Sequence, residues 1–160
     1  MTRSNIPPNI RRCAMWCHFI NLSWIPISVV ISVIVFRQFY GGYSALLGII
    51  LSPFVAWIFA RILCLIFWQM NRHSHPFINE SGKAALNFSL SIDLYLLIVG
   101  SISFASCGFF DMNPIISVIS YLWILIPLLF FGHFCLTIFG GIKAAMGIMY
   151  KYPGTIGFIK

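Results

Sequence analysis

The chain has 160 residues, of which 60% are hydrophobic and 17% are aromatic, while only 8% are charged. Its mean hydropathy is +0.94, and so little polar surface excludes an ordinary water-soluble globule. The formal net charge of +7 indicates membrane topology and attraction to anionic lipid headgroups rather than nucleic-acid binding. We therefore expect a single transmembrane domain over residues 1–160.

Four apolar stretches follow one another along the chain. Charged residues are absent from 13–36, 38–60 and 112–142, and each of these runs exceeds the roughly 20 helical residues that cross a hydrocarbon core. The remaining run, 94–110, reaches that length only if the residues before it join it. The first run is longer than the apolar part of a signal peptide and lacks a cleavage motif, so we expect a retained span.

These runs predict an all-α protein, specifically an integral membrane four-helix bundle. Pro26 is expected to kink the first helix, and a polar segment before Pro76 is expected to end the second. The predicted helices are about 13–36, 44–70, 80–106 and 114–149.

Basic residues flank the predicted spans mainly on one side. The opposite side carries only Arg37 and Asp111. Because basic residues are retained on the inner side of membranes, both termini are predicted to be cytoplasmic, or stromal in an organelle. The basic residues of the inner side are Arg3, Arg11, Arg12, Arg72, Lys83, Lys143, Lys151 and Lys160.

Arg61 and Asp93 are charged residues inside the second and third predicted helices. A charge at the centre of a span costs about 2.5–3.5 kcal/mol on insertion scales. Both residues lie at nearly the same distance from the turn near Pro76, so antiparallel helices place them at nearly equal depth. Two interpretations stay open. The side chains form an intramembrane ion pair worth roughly 4 kcal/mol, or Arg61 reaches the interface while Asp93 is protonated or faces a wet crevice.

A polar stripe marks the start of the third predicted helix. Lys83, Asn87 and Ser91 recur every four residues, and Glu80 precedes them in the first turn. Residues four apart share one helix face, so the stripe is expected to face the bundle interior. One interpretation is that these side chains fix helix packing, and the other is that they line a polar crevice for a headgroup or a client segment.

Small residues four apart predict close helix contacts. The second helix carries one ladder and the end of the fourth helix carries another, and we expect both to pack within the monomer. The residues of the two ladders are Gly48, Ser52, Ala56 and Ala60, and then Gly140, Gly141, Ala144 and Ala145.

The composition does not indicate a catalytic or cofactor site. Only three carboxylates occur in the chain, too few for a recognisable acid/base pair or Ser–His–Asp set, so we predict no enzyme and no cofactor. The candidates for metal ligation lack a C-x-x-C or H-E-x-x-H pattern. They are His73, His75 and Glu80, and Cys13, Cys17 and His18.

His18 and His133 are also candidates to hold a haem between two helices. A lone histidine in a bundle is more often a hydrogen-bonded packing residue. The five cysteines, an odd number within predicted helices, are expected to be small packing residues rather than disulfide partners.

Two ordered sequence blocks resemble a known family. The first runs "HPFINESGKAALNF" and the second "IKAAMGIMYKYP". They resemble the Tic-twenty-like family, small bacterial membrane proteins grouped with a chloroplast inner-envelope import subunit, over about 64–160. The matching residues are His75, Pro76, Phe77, Ile78, Glu80, Gly82, Lys83, Ala85, Leu86, Asn87 and Phe88, then Ile142, Lys143, Ala144, Gly147, Tyr150, Lys151, Tyr152 and Pro153.

The resemblance implies four transmembrane helices and a part in protein translocation or complex assembly. We therefore predict a non-enzymatic membrane subunit or accessory factor, with membrane lipids and other membrane proteins as partners and no nucleic acid. The expected location is a bacterial inner membrane, a cyanobacterial membrane or a plastid envelope. The alternatives are a small ion or proton channel or transporter that uses Arg61 and Asp93, and a haem or metal redox protein.

Overall fold

The computed structural model describes residues 6–38, 43–107 and 124–159, and the regular structure in these ranges is helical. The predicted start of the fourth helix, at 114, lies outside them. The helices are α1 (Pro8–Phe19), a 3₁₀ turn (Ile20–Leu22), α2 (Trp24–Gln38), α3 (Tyr43–Asn71), α4 (Pro76–Cys107) and α5 (Leu125–Ala145).

The predicted first helix is two helices. α1 begins at Pro8, where proline suits the first helical position, and α1 with its 3₁₀ turn is bent by 40° against α2. The break falls at Ser23, three residues before the kink expected at Pro26. Proline lacks an N–H and its ring clashes with the carbonyl four residues earlier, and that residue is Leu22, the last of the 3₁₀ turn.

α3 and α4 form the expected hairpin, but α4 begins at Pro76 rather than near 80. The His75 imidazole explains the earlier start, because its Nδ1 accepts the backbone N–H of Phe77 at 3.1 Å. The His75 carbonyl also accepts the N–H groups of Ile78 and Asn79. Side chain and carbonyl together satisfy the first donors of the helix.

α5 ends at Ala145, earlier than the predicted 149. Gly147 has a φ of +74°, a left-handed conformation that ends helices. The N–H of Ile148 bonds to the Lys143 carbonyl, and the N–H of Gly147 bonds to the Ala144 carbonyl, both at 2.9 Å. This Schellman motif ends α5. Residues 148–159, here called the terminal strap, follow as a nonhelical segment.

The small-residue ladder of α3 faces α2. Ser52 contacts Ser32 through the two hydroxyls at 2.6 Å, and a Cβ atom at Gly48 would lie 2.3 Å from Val35 Cγ1. Further along the ladder, Ala56 and Ala60 are fully buried.

The ladder of α5 is covered by other parts of the chain. A Cβ atom at Gly140 would lie 2.0 Å from the Tyr152 hydroxyl, and one at Gly141 would lie 2.9 Å from Phe19. Ala144 belongs to a buried cluster that joins the ends of α1, α4 and α5. Ala145 is exposed.

Within residues 6–38, 43–107 and 124–159, three helical segments are long and apolar enough to cross a membrane, and the bent pair makes a fourth if it is one span. The outer surface is apolar: α2 buries no residue, and Val29, Val33 and Ile34 are more than half exposed. The helical membrane class is supported, whereas four spans depend on the bent pair. The segments are Leu51–Asn71, Pro76–Ser103, Leu125–Ala145, and Pro8–Leu22 with Trp24–Gln38.

Gly82→Ala is expected to lower the free energy of unfolding by about 1–3 kcal/mol, as overpacking does. The new Cβ atom would lie 2.1 Å from Trp68 Cδ1, and the Trp68 ring is held by its Nε1 donation to the Asn79 carbonyl. Denaturant unfolding in detergent measures the loss.

Gly100→Ala, in the same helix, is the matched control. A Cβ atom there meets nothing within 4 Å, so this change should be neutral or stabilising by up to about 1 kcal/mol. Equal effects of the two changes would contradict the packing of Gly82 on Trp68.

Candidate functional site

Arg61 and Asp93 form an ion pair between α3 and α4. Arg61 Nε donates to Asp93 Oδ2 at 2.9 Å, and Nη2 donates to Oδ1 at 3.2 Å. The side chains are 11% and 27% exposed. Arg61 lies at the middle of the candidate span Leu51–Asn71, so the bidentate contact offsets a cost that either charge would carry alone.

Asn21 and Trp57 also contact this pair. Arg61 Nη1 donates to Asn21 Oδ1 at 3.0 Å, which ties the 3₁₀ turn to α3. Trp57 Nε1 donates to Asp93 Oδ1 at 2.6 Å, and the Trp57 ring lies under the guanidinium carbon at 4.2 Å from the ring centroid. The indole therefore holds the carboxylate by a hydrogen bond and the guanidinium by a cation–π contact.

His133 brings α5 to the same cluster. It is 0% exposed, and its Nε2 lies 3.5 Å from Arg61 Nη2. Because arginine only donates, this geometry assigns Nε2 as the acceptor and the proton to Nδ1. Among the described residues Nδ1 has no hydrogen-bond partner. We call Asn21, Arg61, Asp93 and His133 the polar cluster.

Aromatic rings extend from His133 to His18. Phe88 stacks on His133 at 5.6 Å and on Tyr152 at 4.1 Å between ring centroids. The Tyr152 hydroxyl and His18 Nδ1 lie 2.7 Å apart, and burial raises the pKa of the Tyr152 phenol, which therefore keeps its proton. The two rings occupy the space between the histidines, where a haem held by His18 and His133 would have to lie.

The polar stripe of α4 holds the terminal strap. Asn87 Nδ2 donates to the Ile159 carbonyl at 3.1 Å, and the Ile159 N–H donates to Asn87 Oδ1 at 2.8 Å. Ser91 Oγ accepts the N–H of Ile156 at 2.8 Å, and Tyr95 Oη donates to the Gly154 carbonyl at 2.6 Å. The predicted crevice is thus filled by a segment of the same chain.

Glu80 and Lys83 stand apart from the strap contacts. Lys83 Nζ lies 3.1 Å from Glu80 Oε1, one helical turn away, and the Glu80 side chain is 56% exposed. An exposed pair of this kind contributes little to stability. Only part of the predicted stripe therefore takes part in holding the strap.

The other candidates for metal ligation are dispersed. His73 Nε2 accepts a hydrogen bond from Arg72, His75 caps α4, and His18 Nδ1 faces the Tyr152 hydroxyl. In the part of the chain that the structure describes, no three His, Cys, Asp or Glu side chains form a metal-ligand group.

The sequence predicted equal depth for Arg61 and Asp93 and left their ion pair as one of two interpretations, and it gave no indication of the contacts of Asn21, Trp57 and the strap. Equal depth in a hairpin follows from residue counts alone. The direction in which Asn21 and Trp57 point depends on how each helix is rotated, and the sequence carries no periodic signal for it. The Pro153-Gly154 turn was the available signal that the segment after α5 changes direction.

A family model matches most of the chain. It describes the magnetosome magnetite crystal formation protein family, MamF/MmsF, and matches residues 38–159. That range includes Arg61, Asp93, His133 and the terminal strap. No curated protein and no solved structure matches the chain.

The expected membership of the Tic-twenty-like family is therefore wrong. Residues that carried the resemblance have local structural roles: His75 caps α4, Asn87 bonds to the strap and Tyr152 packs on Phe88. Such roles do not specify a function. Protein translocation and a plastid or cyanobacterial location were inferred from that resemblance, and they lose their support with it.

Arg61→Gln is expected to destabilise the protein by about 3–5 kcal/mol, because it leaves the Asp93 carboxylate without its charge partner. Denaturant unfolding in detergent measures the loss. A double-mutant cycle with Asp93→Asn isolates the interaction. The double variant should recover much of the loss, since an amide oxygen still accepts from Trp57, whereas strictly additive losses would contradict the pairing.

Asn87→Ala is expected to loosen the strap, because it removes both side-chain bonds to Ile159. At about 0.5–1.5 kcal/mol per hydrogen bond, amide exchange in the strap should rise roughly tenfold. Hydrogen–deuterium exchange of the C-terminal peptide measures the change. Ser89→Ala is the control, because that hydroxyl bonds to the Ala85 carbonyl of its own helix; unchanged exchange in Asn87→Ala would refute the contact.

Proposed function

The chain belongs to the MamF/MmsF family of magnetosome magnetite crystal formation proteins, and from this premise we propose that it is a non-enzymatic component of the magnetosome membrane that takes part in magnetite crystal formation. The family match over residues 38–159 is the observation that carries the proposal. It covers α3, α4, α5 and the terminal strap, and hence three of the four residues of the polar cluster.

The contacts of the polar cluster support a structural rather than a catalytic role. Nε, Nη1 and Nη2 of Arg61 all donate to Asp93 or Asn21, and Asp93 also accepts from Trp57. A catalytic charge has to meet a substrate, whereas these groups meet one another. The cluster holds the helices in place within lipid.

The outer faces of the helices support action beside other membrane components. Large apolar side chains of α3, such as Phe54, Ile58 and Ile62, are exposed, as lipid or a neighbouring membrane protein requires. The protein acts as a subunit or accessory factor, with membrane lipids and other membrane proteins as partners.

The test is complementation of a magnetosome-forming bacterium that lacks its own members of the family. Expression of this chain should place it in the purified magnetosome membrane fraction and shift the magnetite crystal size distribution, measured by electron microscopy, towards that of the parent strain. Gly100→Ala should act like the original chain, and Arg61→Gln should act less well because less folded protein accumulates.

Two results would contradict the proposal. One is a correctly folded protein that is excluded from the magnetosome fraction and leaves crystal size unchanged. The other is proton or ion flux through purified protein in liposomes that Asp93→Asn abolishes, a result that would favour a channel.

A further inference from the structure

A basic cleft lies where the start of α1 meets the end of α5. Its volume is about 540 Å³, and it opens to the surface. It is separate from the polar cluster and from the strap contacts on α4. The lining residues are Pro8, Arg11, Arg12, Met15, Trp16 and Ala145.

Among the described residues, the lining of the cleft contains two arginines and no acidic residue, so the charge of this lining is positive. Arg11 Nε donates to the Ile6 carbonyl at 2.9 Å, which anchors one edge of the guanidinium, and the ion pairs among the described residues do not include Arg11. α1 has no acidic residue in its first turn, where the helix dipole favours negative charge. An anion in the cleft would meet both arginines and the positive end of the helix.

The depth of the cleft matches the headgroup layer of a bilayer. α5 is a candidate span of 21 residues that ends at Ala145, a length that just crosses a hydrocarbon core of about 30 Å. Ala145 lines the cleft, so the cleft lies at the end of that crossing. Trp16 is 52% exposed in the same cleft, and tryptophan is enriched at this interface.

We propose that this cleft binds the phosphate of an anionic phospholipid. Arg11 and Arg12 hold the phosphate oxygens, because guanidinium groups match phosphate geometry. Met15 and Trp16 contact the glycerol and the first acyl carbons. The described part of the lining offers no carboxylate for a choline or ethanolamine group, so anionic lipids are preferred over zwitterionic ones. This site is independent of any role in crystal formation.

The test is a titration of delipidated protein in mild detergent with phosphatidylglycerol, with phosphatidylcholine or with inorganic phosphate, followed by native mass spectrometry. Phosphatidylglycerol is expected to bind at least tenfold more tightly than phosphatidylcholine. Millimolar inorganic phosphate should not displace phosphatidylglycerol, because phosphate has no acyl chain to contact the cleft. Displacement by phosphate would overturn the lipid assignment and indicate a site for a free anion.

The Arg11→Gln/Arg12→Gln variant should lose at least tenfold in phosphatidylglycerol affinity. The matched control, Arg37→Gln/Lys151→Gln, removes the same charge outside the cleft and should stay within about twofold of the original chain. Equal losses of phosphatidylglycerol affinity in both variants would show that the effect comes from net charge alone. That result would contradict the proposed site.

Single substitutions distinguish a loss of lipid affinity from a folding defect. Arg11 has a structural contact to Ile6, whereas Arg12 is exposed, so its replacement is expected to leave the fold intact. Arg12→Gln alone should weaken the binding of phosphatidylglycerol several-fold and leave the unfolding midpoint unchanged. Unaltered affinity in Arg12→Gln would refute its place in the site.

Discussion

The ion pair of Arg61 and Asp93 is the interaction on which the arrangement of the helices depends. Each charge alone inside a span is unfavourable by a few kcal/mol, and each is tolerated here because the other lies at hydrogen-bond distance. Arg61 also reaches Asn21 and lies against His133. One guanidinium thus fixes the 3₁₀ turn, α3, α4 and α5 at a common depth, and the indole of Trp57 closes the cluster from the side.

The same requirement explains the terminal strap. A nonhelical backbone next to membrane helices needs partners for its N–H and C=O groups. Asn87, Ser91 and Tyr95 of α4 provide them for Gly154, Ile156 and Ile159. The polar side chains that the sequence offered for a client segment therefore form hydrogen bonds with the backbone of the same chain. The apolar outer faces of the helices and the basic cleft beside α1 remain open to the surroundings.

These two surfaces agree with a protein that acts within a membrane by contacting lipids and neighbouring membrane proteins. The polar cluster maintains the shape of the helix bundle, while contacts to lipid and to neighbouring proteins occur at the periphery. The role in magnetite crystal formation that we propose from the family match assigns that periphery to the magnetosome membrane. The proposed phospholipid site in the cleft adds a contact with anionic headgroups of the membrane.

The sequence by itself determined the helical membrane class, the α3–α4 hairpin and the equal depth of Arg61 and Asp93. These follow from local composition and from the constant rise of a helix. Only the tertiary structure decided that Asn21, Trp57 and His133 join the pair and that the strap covers Asn87. The reason is physical: helix rotation and the docking of a nonhelical segment depend on contacts between distant parts of the chain, which no pattern within one helix specifies.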